Sequence, residues 1–198
     1  MILYLHGFRS SPQSSKATLL AQAMRERGLA GQWLCPQLPA SPAQAMALCE
    51  RLIEQARDEH GMEPATDLVV IGSSLGGYYA GHLAEHWKCR AVLLNPVIYA
   101  ARDLATQVGK HTMYHDGAPF EFLPEYVDEL AELAFTRPAH PGLYYLLAAK
   151  GDEVLDWREM ADWYAGSHGH IIEGGDHGLS DFSHWLPEVL DFALRPYP

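Results

Sequence analysis

Leu68-Val69-Val70-Ile71-Gly72-Ser73-Ser74-Leu75-Gly76-Gly77 runs four consecutive apolar residues into a glycine-rich turn. An uninterrupted apolar run of this length, rich in β-branched residues, is the pattern of a strand covered on both faces. Tyr78, Leu83 and Ala84 follow in a stretch of helical character. The turn itself, Gly72-Ser73-Ser74-Leu75-Gly76, is G-x-S-x-G between strand and helix, the signature of a nucleophile elbow. Glycines two residues to either side of Ser74 let strand and helix pass closely, and the turn lifts the hydroxyl above the sheet edge. The N-terminus of the following helix then points free N–H groups at developing negative charge. Ser73 is the neighbouring alternative, but Ile71 and Leu75 occupy the places where it would need glycine.

Outward from this unit, the alternation of short apolar runs and longer amphipathic stretches continues. Strands are predicted at Ile2 to His6, Gln32 to Cys35, Leu68 to Gly72, Ala91 to Asn95, Leu143 to Ala148 and His168 to Glu173. Helical stripes appear at Ala45, Leu48, Cys49, Leu52, Ile53 and Ala56, and at Phe182, Trp185, Leu186, Val189, Leu190 and Ala193. Pro187 interrupts the second stripe, so that helix is expected to start late, with Pro187 in its first turn. Strand and helix in alternation mean an α/β fold, here a compact single domain over residues 1–198 with a mostly parallel sheet of about six strands. The span 97–141 is too long for a simple crossover and is expected to form a small cap or lid, with one helix from Glu125 to about Ala134.

A serine hydroxyl needs a base within hydrogen-bonding reach, and the base needs an orienting carboxylate. On this fold the chain order is serine, acid, histidine. Asp152, just past the fifth strand in Lys150-Gly151-Asp152-Glu153-Val154, is the candidate acid; Glu153 and Asp156 are its rivals, and Asp156 is better suited to capping the next helix. His177, in Gly174-Gly175-Asp176-His177-Gly178 after the last strand, is the candidate base, with His168, His170 and His184 as rivals. The backbone N–H groups of Leu75 and Phe8 are the expected oxyanion donors, Phe8 lying in His6-Gly7-Phe8 directly after the first strand. His6 is read as a buried brace for that loop, with no role in proton transfer.

His6-Gly7-Phe8, the Gly72–Gly77 turn, Lys150-Gly151-Asp152-Glu153-Val154-Leu155-Asp156 and Gly175-Asp176-His177-Gly178 together resemble the small bacterial esterases of the YqiA/YcfP type, within the α/β-hydrolase superfamily. The resemblance covers nearly the whole chain and includes Leu94-Asn95-Pro96-Val97. It implies an esterase using Ser74, Asp152 and His177, with acyl-CoA thioesters as a plausible substrate class. Lyase and perhydrolase chemistry use the same triad, while a binding protein on this fold is expected to lack one of its members.

Composition narrows the partners. The formal net charge is −11, which repels nucleic acid and anionic lipid, although a local Lys or Arg can still dominate at close range. Cys35, Cys49 and Cys89 are scattered and odd in number, which argues against a disulfide framework. With no basic n-region at Met1-Ile2-Leu3-Tyr4-Leu5 and no apolar run long enough for a bilayer, a cytoplasmic protein acting on a small ester or thioester is expected. No nucleotide-binding glycine motif is present, and no cofactor is expected. His82-Leu83-Ala84-Glu85-His86 matches an inverted zinc-protease pattern but is read as a solvated helix face, and His111 with His115 lacks a carboxylate partner at ligand spacing.

Overall fold

The computed structural model describes residues 1–196, so the last two residues of the expected domain lie outside the described ones. In chain order the elements are β1 (Ile2–Leu5), α1 (Ser15–Glu26), β2 (Trp33–Leu34), α2 (Pro42–His60), α3 (Pro64–Asp67), β3 (Val69–Ser73), α4 (Leu75–Trp87), β4 (Arg90–Leu94), α5 (Ala100–Leu104), β5 (Gly109–Thr112), β6 (Pro119–Phe122), α6 (Glu125–Glu132), β7 (Tyr144–Ala149), α7 (Trp157–Trp163), β8 (His168–Ile172) and α8 (Phe182–Leu194).

Six strands form one sheet in the order β2-β1-β3-β4-β7-β8, and all five pairings are parallel. This is the compact α/β-hydrolase architecture. The pleat sends alternate residues to opposite faces. Leu3, Leu5, Val70, Leu93, Leu146 and Ala148 pack on the side of α2 and α4, while Ile2, Tyr4, Val69, Ile71, Val92 and Leu147 pack on the side of α1 and α8. Burial on both faces explains why β3 and β4 read as unbroken apolar runs. The chain leaves β1 for β2 on one side, and the sheet then grows from β1 through β3 on the other. Strand order therefore reverses at the β1/β3 boundary, and the carboxyl ends there are where α/β sheets place their ligands.

Three expectations need correction. First, α8 starts at Phe182, so Pro187 sits inside the helix rather than in its first turn. The bond it forfeits is to the Ser183 carbonyl, and both residues are exposed, on the solvent side of the helix where the loss costs least. Second, the insertion over 97–141 contains more than one helix. It holds α5, an antiparallel hairpin of β5 and β6, and α6. The hairpin closes at Asp116-Gly117, with Gly117 at φ +71°, and Met113 N–H donates to the Ala118 carbonyl at 2.8 Å. An Asp-Gly pair between alternating residues is a hairpin signal.

His82 also departs from expectation. It does not lie on a solvated face: its Nδ1 meets the Leu133 carbonyl at 2.9 Å. Glu85 accepts from the Tyr144 hydroxyl and from the Ala139 amide. The histidine-rich segment of α4 thus fastens the cap and the start of β7 to the body. Among the described residues, no helix is long and apolar enough to cross a membrane.

Candidate active site

The turn after β3 places Ser74 at φ 56°, ψ −121°, a conformation that favours glycine and is costly for any residue with a Cβ. It is held there from several sides. Ser74 N–H donates to the Leu94 carbonyl at 3.0 Å, and its carbonyl accepts from Gly77 and Val97 at 2.8 and 3.1 Å. Close backbone packing explains the flanking glycines. A Cβ on Gly76 would overlap the Leu5 carbonyl oxygen and stand 2.7 Å from that of His6; one on Gly72 would stand 2.7 Å from the Gly77 nitrogen. Strand β1, strand β3 and helix α4 touch here through main chain alone.

The structure brings the three expected side chains together. His177 Nε2 lies 3.0 Å from Ser74 Oγ, and His177 Nδ1 lies 2.8 Å from Asp152 Oδ2. A carboxylate only accepts, so Nδ1 carries the proton and, in the neutral ring, Nε2 is left to accept from the serine hydroxyl. The Asp152 side chain is fully buried. Its other oxygen, Oδ1, accepts from the amides of Val154 and Leu155, each at 2.8 Å. The tight loop after β7 therefore fixes the carboxylate before it meets the imidazole.

The rivals are placed elsewhere. Glu153 Oε2 accepts from the His177 backbone N–H at 3.0 Å, steadying the loop rather than the ring. Asp156 caps α7 through the Arg158 amide at 2.9 Å. His170 pairs with Glu188 at 2.8 Å, and His184 packs edge-on against Trp185. Ser73 lines the same cleft as Ser74 but makes no bond to His177.

Gly7, Phe8, Ser74, Leu75 and His177 share one cleft of about 700 Å³. Leu75 is the first residue of α4, so its N–H has no intrahelical acceptor. His6, which begins the β1 loop, is buried. Its Nε2 accepts from the Leu38 amide at 3.0 Å, which places the proton on Nδ1, facing the Gly7 carbonyl at 3.0 Å. The brace read from sequence is present in this form. The Phe8 ring is met edge-on by Phe120, Phe122 and His111 of the cap hairpin.

Burial holds the His6 pKa below its ordinary 6.5, outweighing the Gly7 bond. The sign follows. As pH falls below about 6.5 the unfolded chain takes up a proton that the folded His6 resists, so folding stability declines. His82 is lowered by burial too and adds to the decline. In His6→Gln the loss of stability between about pH 7.5 and about pH 5.5 should be shallower, by at most about 1.4 kcal/mol per pH unit. Urea titrations at the two values measure it.

One contributor to the site was not singled out from sequence. Asn95, fully buried at the end of β4 with φ 43°, donates through Nδ2 to the carbonyls of Asp176 and His177 at 3.0 and 3.1 Å. Its Oδ1 accepts from the Ala149 amide at 2.8 Å. It ties the histidine loop to the strand that carries the acid. A lone Asn before Pro96 reads as a turn residue, and the signal to pursue was its place at the carboxyl end of a central strand. Asn95→Ala takes their side-chain partner from the Ala149 amide and the His177 carbonyl, while the Asp176 carbonyl keeps the Leu179 amide, and should cost about 1–3 kcal/mol, read by urea unfolding.

The sequence matches the model of an uncharacterised protein family (UPF0227) over residues 1–194. The chain belongs to that family. The resemblance to the YqiA/YcfP type read from sequence agrees with that membership. In solved structures the UPF0227 chain is similar to Est1E from Butyrivibrio proteoclasticus with ferulic acid bound, at 14% identity and TM-score 0.71, covering 98% of this chain and 87% of the other. It is also similar to mouse alpha/beta hydrolase domain-containing protein 10, at 17% identity and TM-score 0.65, covering 97% and 88%. A third likeness is to the Pyrococcus furiosus esterase Pf2001, at 16% identity and TM-score 0.63, covering 100% and 81%. At these identities the shared property is the α/β-hydrolase fold.

Proposed function

We propose that this protein is a serine hydrolase that cleaves a carboxylic ester or thioester through an acyl-enzyme. The observation that carries the proposal is the continuous chain from Ser74 Oγ to His177 to buried Asp152, at 3.0 and 2.8 Å. His177 takes the serine proton as Ser74 attacks the carbonyl. Asp152 holds the ring in its reactive tautomer and stabilises the imidazolium. The N–H groups of Phe8 and Leu75 receive the oxyanion, each worth about 2.7–4 kcal/mol of transition-state stabilisation. His177 then protonates the leaving alcohol or thiol, and a water activated by the same ring releases the acid. No step calls for a cofactor. The three cysteines are free, which fits a reducing, cytoplasmic setting.

A fluorophosphonate probe should label Ser74 covalently, and mass spectrometry of the labelled peptide identifies the residue. A panel of p-nitrophenyl esters and acyl-CoA thioesters of graded chain length then separates ester from thioester preference. Failure of every probe to label the folded protein would sink the proposal. Asn95→Ala should lower kcat by up to about 100-fold with little change in KM, because it loosens the base rather than the cleft walls.

A further inference from the structure

The cleft beside Ser74 is lined from the cap by Val97, Leu104 and Arg102, whose guanidinium is taken up by Asp103 and Glu159, and from the start of α1 by Ser14 and Lys16. Lys16 is placed as lysines rarely are. It is only 8% exposed, and burial pulls its pKa below the ordinary value. Its Nζ donates to the carbonyl of Gly178, the residue after His177. An ammonium has three N–H bonds to give. Among the described residues no carboxylate stands within ion-pairing distance of it. The two acids whose charge it feels, Asp176 and Asp152, are engaged elsewhere. Asp152 is held by His177, Val154 and Leu155, and Asp176 Oδ1 accepts from the Ser180 amide at 3.0 Å.

Ser14 adds an independent observation. It is the N-cap residue of α1 but makes no side-chain capping bond; its hydroxyl, like that of Ser73, stands beside the Tyr4 hydroxyl. The α1 end of the cleft therefore gathers a desolvated cation with donors to spare and a group of hydroxyls, at the positive end of a twelve-residue helix.

We propose that this end of the cleft is a subsite for a compact anion, a carboxylate or phosphate carried by the substrate, with Lys16 Nζ as its charged ligand and Ser14 Oγ as a second donor. The inference rests on the hydrolase assignment of the same cleft and adds the charge of the substrate. A surface of net charge −11 repels anions at long range, so selectivity for one is local, where a desolvated ammonium acts through a low dielectric.

Calorimetry with succinate, inorganic phosphate and neutral succinamide tests binding without turnover. Wild-type protein should bind one or both anions and not succinamide, and the tighter anion tells carboxylate from phosphate. Lys16→Met and Lys16→Gln should abolish that binding. In parallel, the kcat/KM ratio of mono-p-nitrophenyl adipate to p-nitrophenyl hexanoate should fall roughly 10- to 100-fold in both variants, the worth of one charge-assisted hydrogen bond. Lys16→Gln keeps a donor for Gly178 and serves if Lys16→Met does not fold. Absence of anion binding to wild type overturns the subsite. So does an equal fall for both esters, which would leave Lys16 only a brace for the histidine loop. Anion binding with no fluorophosphonate labelling of Ser74 would refute the hydrolase assignment and leave the subsite standing.

Discussion

Ser74→Ala is expected to fold normally and to lose about a million-fold in kcat, the scale seen when one member of an interdependent triad is removed. The size of the effect comes from the geometry. Among the described residues no other hydroxyl bonds His177 Nε2, and Ser73, one residue away, makes no bond to the ring. Ser74→Gly sharpens the test, because it separates chemistry from fold. At φ 56°, ψ −121° any Cβ is strained, and glycine is not. Ser74→Gly should therefore be as inert as Ser74→Ala and yet more stable than wild type, by about 1–3 kcal/mol. Paired urea titrations and ester kinetics read both quantities. A glycine variant no more stable than wild type would mean that the hydrogen bonds around residue 74 impose no strain.

Gly76→Ala is expected to have the largest effect on stability, a loss of more than about 4 kcal/mol from a total of about 5–15 for a domain of ordinary stability. The added methyl would overlap the Leu5 carbonyl oxygen and lie 2.6 Å from its carbon. Neither atom can yield. Leu5 is paired with Gly72 in the sheet, and α4 is pinned by the bonds around Ser74. Relief would require α4 to rise off β1, breaking packing by Leu75, Tyr79 and Leu83. Gly31→Ala is the control: a Cβ there meets nothing within 4 Å, and the change should be neutral or gain about 0.4–1 kcal/mol. Soluble yield and the urea midpoint distinguish the two.

These expectations indicate what was legible before the structure. Strands β3 and β4 are buried on both faces and so announce themselves as apolar runs. Ser74, Asp152 and His177 follow β3, β7 and β8 in the chain order that the fold requires, so the elbow motif and that order located them. Edge elements were less legible. Strand β2 spans only Trp33–Leu34, and β8 exposes His168, Gly169 and His170, because an edge strand has one neighbour and weaker demands on its residues. The β5–β6 hairpin was missed because its Asp-Gly turn lies among other glycines and prolines in the insertion. Asn95 and Lys16 were missed for a shared reason. A polar residue at a strand end or in a first helical turn usually faces water, and only the packing of α1, β4 and the histidine loop against one another puts these two inside.

The edge-on clasp between the Phe8 ring and the β5–β6 hairpin has a mechanical consequence. Under the proposed hydrolysis the same residue would offer its amide to the oxyanion, while its side chain packs on the cap. Arg9, next in sequence, adds a bond to the Thr112 carbonyl at 2.7 Å. A swing of the hairpin away from the mouth would drag on the peptide that must meet the incoming charge. On the proposed mechanism, a change in the hairpin that widens the mouth would then also disturb the oxyanion donor.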